Sequence, residues 1–387
     1  MQMEENIADK NIYQASLFAN RLSKRYKILR KWARRERVSC YRLYDRDIPE
    51  VPLAADLYEF LPSDAGSKLE AARFMHEQEA RYTANDPHVE SEASSRRYLT
   101  LYLYERPYEK PDEEEEKWLS AMADAASKIL NIDRSHITTK MRRHDKGGSQ
   151  YAKEEPSAHA LTGIVQEQGQ LFRVNLTDYL DSGLFFDHRI LRSIIRDTSS
   201  GKSVLNLFCY TGSFSVYAAE GKAARVESVD LSNTYLSWAK DNFKLNDFCD
   251  SEKYIFTKQD VTGFLNQKLA EVPHKDSKGN GDGTNRYDII ILDPPTFSNS
   301  KSTENTLDIN KDWSTLATKC LNLLASGGVL YFSTNSRRLS FDRSLIPQAT
   351  DSGAVIDVTD MTQESLSEDY KETKIHRLWK FQTGKIQ

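Results

Sequence analysis

From about residue 200 the chain alternates short, nearly uninterrupted apolar runs with longer amphipathic ones, and this alternation leaves few folds open. "SVLNLFC", "ARVESVD", "KYIFTKQ", "YDIIILD" and "VLYFST" have the length and β-branched content of strands. "SFSVYAAEG", "NTYLSWAKDNFKLN", "VTGFLNQKLAEV" and "DWSTLATKCLNLLASGG" lie between them with helical spacing, the last closed by its glycines. Strands apolar on both faces, each followed by a helix, predict a parallel sheet covered on both sides. "AVIDVTDM" and "IHRLWKF" add two strands, the final one antiparallel. The expected class is α/β, with a seven-stranded, mostly parallel sheet.

In such a sheet, ligands bind beyond the carboxyl ends of the strands. The first strand runs into "NLFCYTGSFS", which has one glycine, Gly212, where a dinucleotide fingerprint needs three. That argues against a pyrophosphate lying on the backbone but permits close approach by a ligand without phosphates. The second strand ends in Asp230, placed to accept hydrogen bonds from ribose hydroxyls. The third ends at Asp260, placed to meet an adenine amino group. Either acid alone reads equally well as a helix N-cap. The fourth strand ends in Asp293-Pro294-Pro295, followed by Phe297. Pro294 biases Asp293 toward extended geometry, and the prolines stiffen the exit. Acids at successive strand ends describe a phosphate-free nucleoside, and S-adenosylmethionine is the expected cofactor.

The 387 residues carry a net charge of −4, but the charge is uneven. Arg21 to Arg46 hold eleven Lys/Arg against two acids, a local +9 that leaves −13 for the remainder. Phe18, Leu22, Tyr26, Leu29 and Ala33 fall on one face of a helix there. Arg21, Lys24, Arg25, Lys27, Arg30, Lys31, Arg34 and Arg35 fill the others, an expected phosphate-binding arm. Residues 62–97 read as a polar surface excursion. "RRYLTLYLYERP" reads as a strand. Asp112 is expected to cap a helix with "EEEE" in its first turn and Trp118, Leu119, Met122, Ala126, Ile129 and Leu130 buried. "HITTKMRRHDKGGSQYAK" is a possible second RNA contact, and 273–286 a Gly-rich loop. The domains expected are a basic helix over 1–35, an α+β RNA-binding domain over 36–175 and a catalytic domain over 176–387. No apolar run is long enough for a membrane, and no secretory signal opens the chain. Four dispersed cysteines suggest neither disulfides nor a metal site, which fits a cytoplasmic protein.

"NLFCYTG", "VD" and "DPPTFSNS" resemble the strand ends of class I S-adenosylmethionine-dependent methyltransferases, whose sheet is Rossmann-like. More narrowly, "CYRLYDRDIPE", "VNLTDYLDSGLFFDHR", "LSNTYLSWAKDNFKLN" and "ESLSEDY…IHRLW" resemble the bacterial 23S rRNA guanine-N7 methyltransferases. In many proteobacteria these form the C-terminal half of a bifunctional enzyme. The likeness runs from about residue 17 to 380, with 62–93 and 273–286 as additions. It implies a block, Phe186, Asp187, His188 and Arg189, that closes over the cofactor. It also implies cofactor contacts at Asn206, Phe208, Tyr210, Thr211, Gly212, Asp230, Leu231, Asp260 and Asp293. The implied partners are 23S rRNA or a large-subunit precursor, and a guanine-N2 methyltransferase fused or encoded separately.

The nucleophile decides the chemistry. Attack through cytosine C5 needs an enzyme thiolate, and "YFSTNS" has Thr334 where related enzymes carry the cysteine. Guanine N7 has a free lone pair and no proton to remove, so the enzyme has only to position it. Asp293 then accepts from guanine's N1–H and 2-amino edge, Asn335 assists, and Phe297 stacks on an extruded base. Lys301, Arg337 and Arg338 are candidate phosphate contacts at the same rim. Methylation of an exocyclic amino group is the alternative within the class. A nicotinamide oxidoreductase is weakened by the missing glycines, and a non-catalytic ribosome-assembly factor by the intact acids.

Overall fold

The computed structural model describes residues 2–104, 111–142, 160–272, 286–298, 306–371, 373 and 375–384. It divides into two compact units, Met1–Phe186 with Glu368–Thr373, and Asp187–Ser367 with Lys374–Gln387.

The first unit opens with α1 (Gln2–Arg35), about 50 Å long at the usual rise per residue. Phe18, Leu22, Leu29 and Ala33 are buried, the stripe expected from their spacing. They pack on a sheet of β1 (Cys40–Asp45), β2 (Leu53–Glu59), β3 (Arg97–Tyr104) and β4 (Ile137–Arg142), in that order, with only β3 and β4 parallel. Residues 62–97 differ from the expected excursion, forming α2 (Lys68–Thr83) and α3 (Val89–Ser95). Ser67 and Glu70 start α2 with a reciprocal capping box, a signal present in the sequence. The helix α4 (Asp112–Leu130) begins at Asp112, and Pro111 is the cap residue. Its Trp118, Leu119, Met122, Ala126 and Leu130 are buried as expected, but Ile129 is 41% exposed. The Trp118 indole donates to Gln14 Oε1 at 2.7 Å, tying α4 to α1. A hairpin of β5 (Thr162–Glu167) and β6 (Gln170–Asn175) completes this unit.

The second unit begins with a 3-10 turn (Phe186–His188, whose first residue closes the first unit) and α5 (Arg189–Thr198). The expected alternation follows as β7 (Ser203–Leu207), α6 (Ser213–Glu220), β8 (Arg225–Asp230), α7 (Asn233–Leu245), β9 (Tyr254–Lys258), α8 (Val261–Glu271) and β10 (Tyr287–Leu292). A two-residue ladder of β11 (Phe297–Ser298) and β12 (Leu307–Asp308) leads into α9 (Ile309–Asn322). The unit ends with β13 (Leu324–Thr334), β14 (Ile356–Asp360) and β15 (Arg377–Thr383). The sheet order is β14-β15-β13-β10-β7-β8-β9, with β15 antiparallel to both neighbours and the other pairs parallel. The expected seven-stranded sheet is therefore present. One boundary differs. Gly327 and Gly328 lie inside β13, where Tyr287 pairs with Leu324 and Ile289 with Val329. The glycines serve a register break in the sheet, with Gly327 at φ +77°, and α9 ends before them. The loop over 273–285 lies outside the described residues.

Candidate active site

The chain lays β7, β8 and β9 outward on one side, then crosses back to put β10 on the other side of β7. The strand order reverses between β7 and β10, the place where open parallel sheets bind ligands. The sequence puts the Gly212 turn after one of these strands and Asp293 after the other.

The turn after β7 is tightly wound. Phe208, Tyr210 and Gly212 have φ of 55°, 51° and 76°. Two residues with side chains in the left-handed region cost roughly 1–3 kcal/mol each, a strain typical of ligand clamps. A Cβ at Gly212 would lie 2.9 Å from the Ala239 methyl, so helix α7 packs where a side chain would need room. Asp230 holds the turn from β8. Its Oδ2 accepts from Tyr210 N at 3.0 Å and its Oδ1 from Ser232 N at 2.9 Å. Burial pushes the Asp230 carboxyl up, against the pull of these N–H donors. Asn206 and Thr211 are scaffolding: Asn206 donates to Ser215 Oγ at 2.9 Å, and the Thr211 carbonyl accepts from Asn242 at 2.9 Å, all buried. Leu231 is half-buried, and Tyr210 meets Tyr235 edge-on at 4.6 Å. Asp260 caps α8 through Gly263 N at 2.9 Å, the plainer of its two expected roles.

A chain of buried polar groups runs to Asp293. His188 Nε2 lies 3.2 Å from Asp293 Oδ2 and 3.8 Å from Asp187 Oδ2. His376 Nδ1 lies 3.1 Å from Asp187 Oδ2, and its Nε2 is 2.8 Å from Ser365 Oγ. The two imidazoles stack at 4.8 Å, 18° from parallel. The Ser333 hydroxyl donates to Asp293 Oδ1. Burial alone would lower the His188 pKa, but the Asp293 and Asp187 carboxylates push it up to about 9. Burial would raise Asp293 and Asp187, and the imidazoles beside them hold both below the usual carboxylate range. About a quarter of the Asp293 side chain stays exposed, and Pro294 is buried with Pro295 half-buried beside it. Asp187, His188 and His376 offer ligand atoms within 4.8 Å of one another. The 3.1 Å His376–Asp187 contact has hydrogen-bond length, and we assign the group no metal. Ser365 gives its proton to the Thr362 carbonyl at 2.9 Å and is fully buried, so this Ser–His–Asp array is no nucleophile.

Beyond the prolines, Phe297 is 51% exposed. Thr296 donates to Asn335 Oδ1 at 2.8 Å, which leaves the amide NH2 of the exposed Asn335 as its donor group. Arg337 and Arg338 are exposed after β13, and Lys301 lies outside the described residues. Arg189 and Arg192 are fully buried, and Arg189 reaches Ser367 at 3.4 Å. In the first unit, Phe186 packs on Tyr58 at 5.4 Å. Of the arm residues, Lys24, Lys27 and Lys31 are exposed without an ion pair among the described residues. Arg21 pairs with Asp47, Arg35 with Glu36, and Arg25 turns toward the Asp369 carbonyl. Cys209 is buried beside Asp230, and both effects push its thiol far up, away from a thiolate. Sequence reasoning missed His376, Ser365 and Ser333. Ser333 carried a weak signal, lying one residue short of the end of a strand whose carboxyl edge was already implicated.

This edge fits an adenosyl ligand without phosphates, since Asp230 offers an acceptor beside a turn that forbids side chains at Gly212. Fold and site define an S-adenosylmethionine-dependent methyltransferase, and the family of that description matches residues 98–363. Ribosomal RNA large subunit methyltransferase K of Neisseria meningitidis is 40% identical over 362 residues, covering 94% of this chain and 86% of that protein. The chain belongs to this methyltransferase K/L family. Methyltransferase K/L of Ectopseudomonas mendocina is 38% identical over 94% of this chain, which spans 42% of that longer protein. Among solved structures, the methyltransferase SMU.776 complexed with SAH matches with a TM-score of 0.63 at 18% identity, over 95% of this chain and 81% of that one. A SAM-dependent methyltransferase from Streptococcus mutans matches with a TM-score of 0.62 at 18% identity, over the same shares of each chain. These two support the fold.

Proposed function

We propose that this chain transfers a methyl group from S-adenosylmethionine to N7 of a guanosine in large-subunit ribosomal RNA. The observation that carries the reading is the state of Asp293. A carboxylate held below its usual pKa by His188 and bonded by Ser333 is a poor proton acceptor and a fixed hydrogen-bond acceptor. It suits a reaction in which no proton leaves the nucleophile. Bound S-adenosylmethionine supplies an electrophilic methyl. Asp293 accepts from the N1–H and 2-amino edge of guanine through its remaining lone pairs. Asn335 donates to O6, and Phe297 stacks on the extruded ring. Asp230 receives the ribose hydroxyls, and Asp260 retains one oxygen for the adenine amino group. Asp187, His188 and His376 are positioning residues, acting through Asp293. Positioning of this kind contributes on the order of 7–11 kcal/mol in well-aligned systems. The high pKa of Cys209 speaks against thiolate chemistry at cytosine C5.

The Asp-Pro-Pro-aromatic run also suits an exocyclic amine, which is the competing reading. Borohydride and aniline treatment of rRNA methylated in vitro separates the two, because it cleaves at N7-methylguanine and spares N2-methylguanine. Cleavage at one enzyme-dependent guanine is the expected result, and methyl incorporation without cleavage would overturn the N7 assignment. The partners follow from the same reading: 23S rRNA or an assembling large subunit, and a guanine-N2 methyltransferase fused or separate.

A further inference from the structure

Four buried side-chain atoms lack a hydrogen-bond partner among the described residues: Arg25 Nε, Tyr58 Oη, Gln166 Oε1 and His188 Nδ1. The first three belong to the first unit. His188 Nδ1 alone lies in the second, on a ring that touches Asp293 at the carboxyl edge of the sheet. Buried polar groups are almost always bonded, so an unbonded one beside a ligand edge points to a ligand atom.

The rest of the His188 ring is already engaged. Nε2 lies 3.2 Å from Asp293 Oδ2 and 3.8 Å from Asp187 Oδ2. The ring stacks on His376 at 4.8 Å, and the Phe214 ring lies 5.5 Å away. Phe214 is the second residue of α6, two past Gly212, so the imidazole joins the Asp293 side to the cofactor turn. The helix α6 itself starts at Gly212 without a side-chain cap, which leaves its positive end to another acceptor. With 7% of the residue exposed, Nδ1 has little access to bulk water. The two carboxylates keep Nε2 protonated and the ring cationic, so Nδ1 carries a hydrogen and donates.

The charges around the ring balance. Asp187 and Asp293 are offset by the His188 imidazolium and by Arg192 of α5, with His376 stacked alongside. A phosphate would upset that balance, whereas a zwitterion would not. The amino-acid end of S-adenosylmethionine is a zwitterion, and its α-carboxylate is a strong acceptor.

We propose that His188 Nδ1–H donates to the α-carboxylate of S-adenosylmethionine. The imidazolium then binds the cofactor through one nitrogen and Asp293 through the other. One ring sets the position of both, beyond what it does through Asp293 alone. The inference rests on the cofactor and not on which RNA atom is methylated.

S-adenosylhomocysteine and 5′-methylthioadenosine separate the two ends of the ligand, since the second keeps the adenosine and thioether but lacks the amino acid. Both are titrated by calorimetry into the full chain and two variants. His188→Gln keeps a polar group near the Nε2 position, and His188→Asn keeps one near the Nδ1 position. Glutamine is expected to weaken S-adenosylhomocysteine binding roughly 10- to 150-fold, the loss of a charged hydrogen bond, with 5′-methylthioadenosine within about threefold of wild type. Asparagine should hold S-adenosylhomocysteine within about fivefold of wild type. Retained 5′-methylthioadenosine binding shows that each variant is folded. Glutamine weakening both ligands equally, or neither, would overturn the proposal, and so would asparagine losing as much S-adenosylhomocysteine affinity as glutamine. Nitrogen NMR of the histidine-labelled wild-type chain checks the contact without a variant. The His188 Nδ1 signal should move with S-adenosylhomocysteine and stay with 5′-methylthioadenosine, and an equal response to both would overturn the contact. A chain that passes these tests yet yields no N7-methylguanine would refute the proposed reaction alone.

Discussion

Asp230 and Asp293 end the strands on either side of β7, and the fold treats them in opposite ways. Asp230 is held by two backbone N–H groups and has no cation among its hydrogen-bond partners, so burial pushes its carboxyl up. Asp293 faces a buried imidazole and a serine hydroxyl, which hold its carboxyl down. Backbone donors arrive with the turn itself, and they suit the neutral ribose end of a ligand, whose hydroxyls add further donors. An imidazolium must be built in from distant segments, the turn before α5 and the start of β15. Such a pair suits a group that must remain an acceptor while positive charge is being transferred nearby. On the proposed function, the β8 side serves the cofactor and the β10 side the base.

The strongest way to break that division is to remove each acid in turn. Asp293→Ala is expected to lower kcat by at least about 100-fold, the scale of a misplaced reactant, with S-adenosylhomocysteine affinity changed less than threefold. Asp230→Ala should do the reverse. Losing hydrogen bonds to a charged group costs about 1.5–3 kcal/mol, so calorimetry should find S-adenosylhomocysteine bound roughly 10- to 150-fold more weakly. If both variants lose cofactor affinity equally, the two sides do not differ in function.

His188→Gln tests the cause of the difference. The folded His188 pKa of about 9 exceeds its ordinary 6.5, so its contribution to stability is complete below pH 6.5 and is lost as pH rises through 9. Asp293 is lowered, so its contribution is present above the ordinary carboxylate range and is lost as pH falls through its depressed value. Wild-type activity should therefore fall on the alkaline side near pH 9. In His188→Gln that limb should vanish, the acid limb should move to higher pH, and kcat at neutral pH should drop about tenfold. An unchanged pH profile with lower stability alone would leave His188 a structural residue.

The alternation after residue 200 made the second unit's sheet legible, because buried parallel strands must be apolar on both faces and their helices must follow. The site was legible where it lies at strand ends: Gly212, Asp230, Asp293 and Phe297 all project from the edge that the strand–helix order predicts. The partners of Asp293 were not legible. His188 and His376 are separated by nearly half the chain, and nothing local in "IHRLWKF" distinguishes a ring that stacks on another histidine from one that faces solvent. Helices α2 and α3 were missed because their polar surface outweighs a narrow buried face, Ala71 and Gln78 in the longer one. The glycines of β13 were misread because a register break and a helix end both call on the same residue.

Phe297 gives the mildest test of the two-sided site. Its ring is half exposed, and among the described residues its strand partner is Asp308 across the short β11–β12 ladder, so truncation costs the fold little. Stacking on a base is worth roughly 1–3 kcal/mol, and an exposed ring belongs at the lower end. Phe297→Ala should therefore raise KM for rRNA about fivefold, with kcat within twofold and S-adenosylhomocysteine affinity unchanged. Phe297→Trp keeps a flat face and should restore the wild-type KM, whereas Phe297→Leu, of similar apolarity but no π-face, should not. Leucine restoring activity as well as tryptophan would mean that the residue packs against neighbours instead of stacking on a base.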